Sequence, residues 1–455
     1  MFVTTYSDTE MANIIASRVH QLGGTAYYVG GYVRDVLRGQ PNKDLDIEVH
    51  GITPSQLEHI LDSLGVRISI GESFGIYNLK GYSLDIAMPR KETNRGVGHK
   101  DFDICVDPFI GIEKAALRRD FTINAISKDI LTGEIIDPYC GVKDIEAGII
   151  RHVNDDTFME DPLRALRAAQ FAARFQYKID TDTLRLCASL NLLALPKERI
   201  MGELEKALLK SDKPSIFFES LRVMHQLDIW FPEFQDLIGI EQNPAYHAEG
   251  DVWNHTLMVL DIASHYRNLT KNPLGFMLAA LTHDFGKAVC TETINGVVHA
   301  YRHETIGLPI IETFIKRLTS EKDLLAYVLN MAELHMWPNV LARDNSAIKK
   351  TNKLFDRSVD PIGLIYLAMS DNMGRITNSF NTSNAEFFTR RLDLYNEYMS
   401  RPYVRGQDLV NAGVEPSVKF SDYLSYAHKL RLAGVSKDDA LKQVLAMVRK
   451  DLRSE

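Results

Sequence analysis

The chain has 455 residues, which is too long for one ordinary hydrophobic core, so roughly two to four folded units are expected. Hydrophobic residues make up 45% and charged residues 25% of the chain, as in ordinary globular proteins. The net charge of −8 excludes a protein that binds polyanions over its whole surface, so any nucleic-acid surface must be local.

Targeting and redox signals indicate a cytoplasmic protein. No apolar run is long enough for a membrane span, and the N-terminal segment MFVTTYSDTE lacks an export pattern. The cysteines are scattered without CxxC spacing, which predicts neither a disulfide framework nor a cysteine zinc site. These are Cys105, Cys140, Cys187 and Cys290.

Pattern along the chain predicts an α+β protein with four parts. Residues 1–140 mix short β-branched strands with helices, such as AYYVGG and LDIEVHG. Residues 141–225 carry apolar positions at helical spacing, residues 226–390 are helical and rich in histidine, and residues 391–455 form a helical tail.

Two carboxylates lie in an apolar run near the N-terminus. Asp44 and Asp46 are two residues apart on a predicted strand, so both side chains point to one face. Like charges on a buried face are costly unless a divalent cation such as Mg²⁺ joins them. Asp85, in the later strand YSLDIAM, is either a candidate third metal ligand or a buried aspartate paired with a basic side chain. The alternative for the first pair is a turn aspartate followed by a solvated edge strand.

A glycine pair precedes the carboxylates, after one predicted strand and before a helix. Gly30 and Gly31 free backbone N–H groups to face an anion, and Arg34 follows on the first turn of the helix. Asp35 is expected to orient Arg34 or to cap the loop rather than to bind metal. Loop, arginine and carboxylates together indicate a site for a metal–nucleoside triphosphate complex.

The ordered motifs resemble those of class II tRNA nucleotidyltransferases and bacterial poly(A) polymerases, in the branch of CCA-adding enzymes that carries an HD domain. The resemblance runs over nearly the whole chain. It is carried by GGYVRDVLRG with DLDIEV, LRRDFTINAI (117–126), MEDPLRALRAAQFAARF (159–175), WNHTLMVLD, THDFGK and RGQDLVNAGVEPS.

The resemblance implies a polymerase-beta-like nucleotidyltransferase head that works by a two-metal mechanism with Mg²⁺. Asp44 and Asp46 would bind the metal ions, while the glycine pair and Arg34 would hold phosphate oxygens. Within RRDFTINAI, it places Arg119, Asp120 and Asn124 near the sugar and phosphates of the nucleotide. The alternative for that segment is a helix start with a basic first turn.

The EDPLR segment resembles the motif with which the family reads the incoming base. Pro162 suits the first turn of a helix, on which Asp161, Arg164 and Arg167 share a face. A fixed aspartate–arginine pair could accept the amino group and ring nitrogen of cytosine or adenine and reject uracil. Glu160 would brace Arg164 or cap the helix. The alternative is a surface ladder of ion pairs.

A long loop follows the strand of Asp85 and falls where the family has a flexible loop that helps to switch from C to A addition. The alternative is an ordinary surface loop. Its basic and glycine residues are Arg90, Lys91, Arg95, Gly96, Gly98, His99 and Lys100.

The histidine-rich region carries the order H…HD…D of the HD phosphohydrolases. Imidazole nitrogens and carboxylate oxygens together suit a divalent transition metal, which would activate water for phosphoester hydrolysis. In related CCA-adding enzymes this domain is linked to phosphatase and 2′,3′-cyclic phosphodiesterase activity. The predicted ligands are His255, His283, Asp284 and Asp371, with His303 and His335 as further ligands of a binuclear site.

The sequence therefore predicts template-independent CCA addition to the 3′ end of tRNA from CTP and ATP. Residues 160–222 carry 11 Lys/Arg against 9 Asp/Glu, and residues 401–455 carry 10 against 7, which is compatible with tRNA along the neck and tail. CC-adding, A-adding and poly(A)-adding enzymes are the alternatives, as is an HD hydrolase whose head only binds. No membrane partner is expected. The oligomeric state is open, with a homodimer through HD domains as one option.

Overall fold

The computed structural model describes residues 6–42, 44–69, 75–94, 102–244, 247–376 and 383–452. The chain divides into two compact units. The first comprises residues 1–195 and 220–226, and the second comprises residues 196–219 and 227–455. Described residues of the first unit form a mixed α/β structure and those of the second are almost entirely helical, so the predicted α+β class is confirmed.

The first unit contains eight short or medium helices and eleven strands in its described residues. The helices are α1 (Asp8–Gln21), α2 (Gly31–Leu37), α3 (Pro54–Leu64), α4 (Ile112–Ala116), α5 (Gly141–Ala147), α6 (Asp155–Met159), α7 (Leu163–Phe175) and α8 (Thr181–Ser189). The strands are β1 (Thr25–Val29), β2 (Leu45–His50), β3 (Arg67–Ser69), β4 (Ile76–Leu79), β5 (Leu84–Ala87), β6 (Arg90–Asn94), β7 (Phe102–Val106), β8 (Ser127–Asp129), β9 (Ile135–Ile136), β10 (Ile149–Ile150) and β11 (Lys178–Ile179).

One seven-stranded sheet organises this unit, in the order β3-β4-β5-β2-β1-β8-β9. Strand β2 lies between β1, which is antiparallel to it, and β5, which is parallel. Asp46 and Asp85 are register partners across the parallel pair. The prediction that the strand of Asp85 could lie beside that of Asp46 is confirmed.

Local sequence explains how β2 presents polar groups. Leu45, Ile47 and Val49 are buried on one face of the strand, so the alternating residues face the other way. Helix α2 lies in the connection between β1 and β2, and its N-cap residue Gly30 has a φ of +65°. Glycine adopts that conformation without the steric penalty that a side chain would carry.

The second unit is helical apart from one hairpin in its described residues. Its helices are α9 (Lys197–Lys210), α10 (Ser215–Val223, along which the division at Ser220 falls), α11 (Leu227–Trp230), α12 (Pro232–Gln235), α13 (Val252–Ser264), α14 (Pro273–Thr282), α15 (Lys287–Cys290), α16 (His303–Ile306), α17 (Leu308–Leu318), α18 (Lys322–Leu334), α19 (Met336–Arg343), α20 (Ile348–Arg357), α21 (Pro361–Met373), α22 (Ser383–Ser400), α23 (Gly406–Asn411), α24 (Phe420–Leu432) and α25 (Lys437–Asp451). The hairpin is β12 (Glu292–Ile294) with β13 (Val297–His299).

Helix α14 packs against α13, α18 and α21. His255 lies in α13 and Asp371 in α21, while His283 and His335 cap the C-terminal ends of α14 and α18. Helix α14 is buried along nearly its whole length, which agrees with its uniformly apolar sequence PLGFMLAALT. Such a helix provides a rigid base for His283 at its C-terminal end.

The C-terminal helices α23, α24 and α25 enclose a small apolar core of their own, which includes Leu409, Tyr423 and Val444. Helix α22 runs without interruption across residue 390, where the sequence pattern places a boundary. None of the helices in the described residues combines the length and apolar character that a membrane crossing requires.

Candidate functional sites

Three acidic side chains lie on one face of β2 and the residue before it. Asp44, Asp46 and Glu48 alternate with buried apolar residues, as the strand period requires. Asp44 is exposed and its backbone N–H donates to Asn42 Oδ1 at 2.9 Å. Burial raises the pKa of Asp46, and the nearby carboxylates of Asp85 and Asp44 add to the rise against the charge of Arg119.

Asp85 extends this acidic edge onto β5. It is exposed, lies in register with Asp46, and accepts a hydrogen bond from Asn78 Nδ2 at 2.9 Å. The structure therefore brings together Asp44, Asp46 and Asp85, the three head carboxylates predicted from sequence. Neighbouring carboxylates are suited to a divalent cation, since an ion that prefers oxygen ligands removes their repulsion.

A cation and a glycine stand next to this edge. A methyl group built on Gly30 would lie 3.4 Å from both Asp46 Oδ2 and Arg119 Nη1, so the three residues are close neighbours. Arg119 Nη2 lies 3.3 Å from Glu48 Oε2, while Glu48 Oε1 lies 2.9 Å from His50 Nε2. Arg119 is thus held beside the carboxylates by a residue that the sequence analysis did not single out.

Arg34 occupies a buried position rather than an open one. Its Nε and Nη2 donate to Asp35, and its Nη1 donates to Asn124 Oδ1 at 2.6 Å. The guanidinium also lies over the rings of Phe171 and Phe175, at 5.2 and 4.8 Å from their centres. Asp35 therefore orients Arg34, as one of its two predicted roles requires.

Asp120 is the centre of a second buried network. Its Oδ2 accepts from Arg167 at 2.7 Å, and its Oδ1 accepts from Asn124 Nδ2 at 2.9 Å. Burial alone would raise the pKa of Asp120, but Arg167 and the Asn124 hydrogen bond hold it below its usual value. Asp120, Asn124 and Arg167 are thus joined, although they come from two separate sequence motifs.

Arg164 is fixed near the start of α7 by backbone carbonyls. Its Nη1 donates to the oxygen of Thr157 at 2.5 Å and its Nη2 to that of Arg118 at 2.8 Å. A guanidinium has five N–H donors, so these two bonds do not exhaust it. Asp161 Oδ1 accepts from the backbone of Leu163 at 3.1 Å. Both base-reading candidates therefore sit at one helix start.

Glu160 pairs with Arg118 at 3.6 Å, and Arg118 Nη1 also donates to the Arg90 carbonyl. Arg90 and Lys91 lie in β6, which forms a hairpin with β7. The remaining residues that the sequence analysis singled out in this loop lie outside the described residues. They are Arg95, Gly96, Gly98, His99 and Lys100.

The second unit gathers all six predicted HD residues in one buried cluster. Three of its histidines hold Nδ1 against the carbonyl of the alanine three residues earlier. They are His283 on Ala280 (2.8 Å), His303 on Ala300 (2.9 Å) and His335 on Ala332 (2.6 Å). Since a carbonyl only accepts, each Nδ1 carries a proton, and in the neutral imidazole the Nε2 then presents a lone pair to the cluster.

The carboxylates of the cluster lie among these nitrogens. Asp284 is 3.2 Å from His283 Nε2 and 3.2 Å from His303 Nε2, and His255 Nε2 is 3.1 Å from Asp371 Oδ1. Burial raises the pKa of Asp284, yet His283 and Lys287 hold it well below its usual value.

Three observations fit a metal ion to this cluster. His303 Nε2 and His335 Nε2 are 3.2 Å apart, and two lone pairs at that distance repel unless a cation or proton lies between them. His283 Nε2 is buried and, within the described part of the chain, finds no partner in hydrogen-bond geometry. His255, His283 and Asp371 form a group whose ligand atoms all lie within 4.8 Å, as do His283, Asp284 and His335.

An outer layer supports the cluster and was missed by the sequence analysis. Glu249 Oε1 accepts from His255 Nδ1 at 3.0 Å and from His247 Nδ1 at 2.7 Å, and its Oε2 accepts from the Ile376 backbone. Arg375 pairs with Asp371 at 2.7 Å. Such partners fix the tautomer and the direction of metal-binding side chains.

A cavity of about 590 Å³ opens onto the cluster. Asp284, His303 and Asp371 lie in its wall together with the cations Lys287 and Arg375. Its lining therefore combines metal-ligand groups with positive charge, which suits a phosphate ester.

Comparison with known families assigns both units. Residues 26–151 match the family of poly A polymerase head domains, and residues 252–372 match the HD domain. The multifunctional CCA protein of Actinobacillus pleuropneumoniae is 36% identical over 337 residues, which cover 72% of this chain and 80% of that protein. The chain belongs to the multifunctional CCA protein family.

The same name is carried by a relative in Nitrosococcus oceani, which is 38% identical over 313 residues and is covered over 74% of its length. This membership confirms the family predicted from the order of the motifs, including its HD domain. Family use of divalent metal agrees with the groups of possible metal ligands in the second unit.

Solved CCA-adding enzymes share the fold over almost the whole chain. The Thermotoga maritima CCA-adding enzyme complexed with tRNA-CCA covers 96% of this chain and 95% of its own, with a TM-score of 0.64 at 18% identity. A complex of a CCA-adding enzyme with ATP covers 98% and 94%, with a TM-score of 0.66 at 19% identity. At these identities the likeness establishes the fold.

Proposed function

We propose that this member of the multifunctional CCA protein family adds C, C and A to the 3′ end of tRNA, using CTP and ATP without a nucleic-acid template. Family membership over 80% of a relative's length supports the reaction, and the acidic edge of β2 carries the assignment of the site. We also propose that it works in the cytoplasm. The head, neck, HD and tail parts are proposed to divide near residues 140, 225 and 390, the last of which lies within α22.

Asp44 and Asp46 would hold Mg²⁺ at this edge, with Asp85 as a third ligand. Bound there, divalent ions lower the pKa of the attacking 3′-hydroxyl and neutralise charge on the triphosphate. Arg119, held by Glu48, would meet phosphate or sugar oxygens next to the backbone of Gly30 and Gly31. Asp120 and Asn124 would orient the ribose.

Arg34 is proposed to bind phosphate oxygens of the nucleotide. Because its guanidinium is buried against Asp35 and Asn124, it would also hold these two side chains in place. Arg167 would act in the same way through Asp120.

The base would be read by Asp161 and Arg164. An aspartate accepts from the exocyclic amine that cytosine and adenine share, and an arginine donates to the adjacent ring nitrogen. Fixing Arg164 with two carbonyls limits its movement, so the pair would discriminate by geometry as a template does.

An extension assay tests this function. Purified protein with Mg²⁺ receives a tRNA transcript that lacks CCA, together with CTP, ATP, both, or UTP and GTP. Two added residues with CTP and three with CTP plus ATP are expected. Two added residues both with CTP alone and with CTP plus ATP would indicate a CC-adding enzyme. A single A added only to transcripts that end in CC would indicate an A-adding enzyme. A long A tail would indicate a poly(A) polymerase.

The geometry of the second unit favours a further activity, the hydrolysis of phosphoesters at the HD cluster. His255, His283, Asp284 and Asp371 would hold a divalent transition metal, with His303 and His335 completing a second position. A metal bound there activates water for attack on phosphorus. Lys287 and Arg375, both in the cavity wall, would hold the phosphate oxygens. Hydrolysis of a phosphomonoester or a 2′,3′-cyclic phosphodiester by the Asp44→Ala protein would establish this activity apart from addition.

A further inference from the structure

The two carbonyl groups that hold Arg164 come from separate stretches of the first unit. Thr157 lies in α6, whereas Arg118 follows α4. Arg164 Nη1 donates to the Thr157 carbonyl at 2.5 Å, and Nη2 donates to the Arg118 carbonyl at 2.8 Å. Both nitrogens belong to one rigid, planar guanidinium. The direction of the whole group therefore depends on how the two carbonyl oxygens are spaced.

A side-chain hydroxyl joins these two stretches directly. Thr157 Oγ1 donates to the carbonyl of Leu117, the residue before Arg118, at 3.1 Å. The other acceptor near this hydroxyl is the carbonyl of Asn154, which is farther away at 3.5 Å. Because a hydroxyl has one proton, the shorter bond is the one that ties α6 to the residue next to Arg118.

Helix α6 contacts Arg164 through a second group as well. Phe158 is fully buried, and the guanidinium carbon of Arg164 lies 5.8 Å from the centre of its ring. The helix is capped by Asn154, whose side chain accepts from the backbone N–H of Thr157 at 3.1 Å. A shift of α6 would therefore move both a carbonyl and a ring that contact the guanidinium.

The Thr157 bond differs from the usual bond of a helical threonine. Such a hydroxyl commonly donates to a carbonyl of its own helix. Thr313 in α17 is an example, since its Oγ1 donates to the Pro309 carbonyl at 2.9 Å. Thr157 instead reaches the stretch that carries the second acceptor of Arg164.

We propose that Thr157 is a positioning residue for base selection, because its hydroxyl sets the spacing of the two carbonyl groups that hold Arg164. That spacing directs the remaining N–H donors of the guanidinium. This inference rests on the proposed function, in which Arg164 reads the base together with Asp161. Thr157 acts through Arg164, so its loss should change the choice of nucleotide.

Replacement of Thr157 by valine removes the hydroxyl and keeps the shape of the side chain. We expect Thr157→Val to lower the preference for CTP over UTP about three- to ten-fold, as for one lost hydrogen bond. Thr157→Ser keeps the hydroxyl and should restore the preference. Competition between CTP and UTP on one tRNA transcript measures the ratio. Since both nucleotides meet the same sample, a partly unfolded variant still gives the correct ratio.

Thr313→Val is the matched control, because it removes a hydroxyl-to-carbonyl bond from an exposed position in the second unit. Its preference for CTP should equal that of the unmodified protein. An unchanged preference in Thr157→Val, or an equal loss in both valine variants, would overturn the positioning role. So would an equal loss in Thr157→Ser, in which the hydroxyl is present.

A double variant tests whether Thr157 acts through Arg164. Thr157→Val combined with Arg164→Lys should have the same preference as Arg164→Lys alone, because the planar group that Thr157 directs is already gone. Losses that multiply would show that Thr157 acts by another route, which contradicts the inference.

The same variants separate this inference from the proposed function. An unchanged preference in Arg164→Lys would refute base reading by Arg164, and positioning by Thr157 with it. A lowered preference in Arg164→Lys beside an unchanged one in Thr157→Val would refute the positioning role alone. If no nucleotide is added, calorimetric titration with CTP and with UTP in Mg²⁺ measures the ratio from binding. Absence of a CTP preference there, or an equal preference in Thr157→Val, contradicts the inference.

Discussion

At the scale of single residues, the most informative contacts are those of charged groups that hold another functional group. Glu48 is one of them, since it joins His50 and Arg119 on the face of β2 that carries Asp46. Burial alone would raise the pKa of Glu48, but His50 and Arg119 hold it below its usual value, so the carboxylate is charged where Arg119 needs a partner.

We therefore expect Glu48→Gln to raise KM for CTP and ATP by a similar factor, about ten-fold, with a smaller effect on kcat. The reason is that Arg119 would lose its fixed position beside the triphosphate while the base-reading residues stay in place. Steady-state extension kinetics measure both constants. Asp182→Asn, which breaks an exposed ion pair with Arg185, serves as the control. A change for only one nucleotide would contradict the role.

Asp161 and Arg164 give a different signature. Asp161→Asn replaces one acceptor oxygen by a donor, and Arg164→Lys removes the planar fork, so both are expected to lower the preference for CTP over UTP by roughly ten-fold or more. Competition between the two nucleotides on one transcript measures that ratio. A variant that loses rate but keeps the preference would show that the pair does not read the base.

Glu249 provides the corresponding prediction in the second unit. Glu249→Gln removes the charge that orients His255 Nδ1, so the HD cluster should bind its metal about 10–100-fold more weakly. Metal content after dialysis against graded chelator gives the readout, without any assay of hydrolysis. Glu292→Gln, on the exposed hairpin, is the matched control. Unaltered metal retention in Glu249→Gln would remove Glu249 from the site.

At the scale of elements, a close approach between α15 and α16 positions His303. A Cβ on Gly286 would lie 2.1 Å from the carbonyl oxygen of His303 and 2.8 Å from the backbone nitrogen of Gly307. Backbone atoms cannot yield as the end of a side chain can, so any larger residue must move the helix that carries His303.

Gly286→Ala is therefore expected to destabilise the second unit by about 1–3 kcal/mol and to reduce its metal content. Gly202→Ala, inside α9, meets nothing within 4 Å and should instead be neutral or stabilise by about 0.5–1 kcal/mol. Calorimetric unfolding together with metal analysis checks the pair. Equal behaviour of the two variants would mean that α16 accommodates the methyl group.

Elements also show what sequence patterns can and cannot predict. Alternation in DLDIEV and YSLDIAM is local, so it placed Asp46 and Asp85 on strands whose adjacency the register confirms. The same alternation places Glu48, two residues after Asp46, on the face of β2 that carries Asp46, so the pattern could have identified Glu48 as a site residue. The contact of Glu249 with His255 could not be predicted in this way. It joins a loop to a helix, so it depends on the path of the loop and not on a repeating pattern.

Burial of Arg34 is a similar case. An arginine after a glycine pair predicts a phosphate ligand, but the pattern does not indicate whether that arginine is buried. Here α7 brings Phe171 and Phe175 over the guanidinium from more than 130 positions along the chain. Motif order was enough to predict the family. In the HD cluster, three of the four histidines are each fixed by a carbonyl only three residues away, which is a local contact. These are His283, His303 and His335.

At the scale of the whole molecule, the two candidate sites belong to different units and use different donor chemistry. Asp44→Ala should abolish nucleotide addition and leave HD hydrolysis intact, and the double substitution of His283→Ala with Asp284→Ala should do the reverse. Extension and phosphoester assays on the same samples measure both. Intact addition in the double variant shows that it has folded. Loss of both activities in either variant would mean that the sites depend on each other.

The single polar face of β2 has a consequence for how this protein can change over evolutionary time. Asp44, Asp46, Glu48 and His50 occupy alternate positions, and the intervening residues fill the core. Substitutions can therefore be sampled one at a time, whereas loss or gain of one residue would turn every acidic group inward and every apolar group outward together. We expect length to be invariant here, while the connections on either side tolerate insertions.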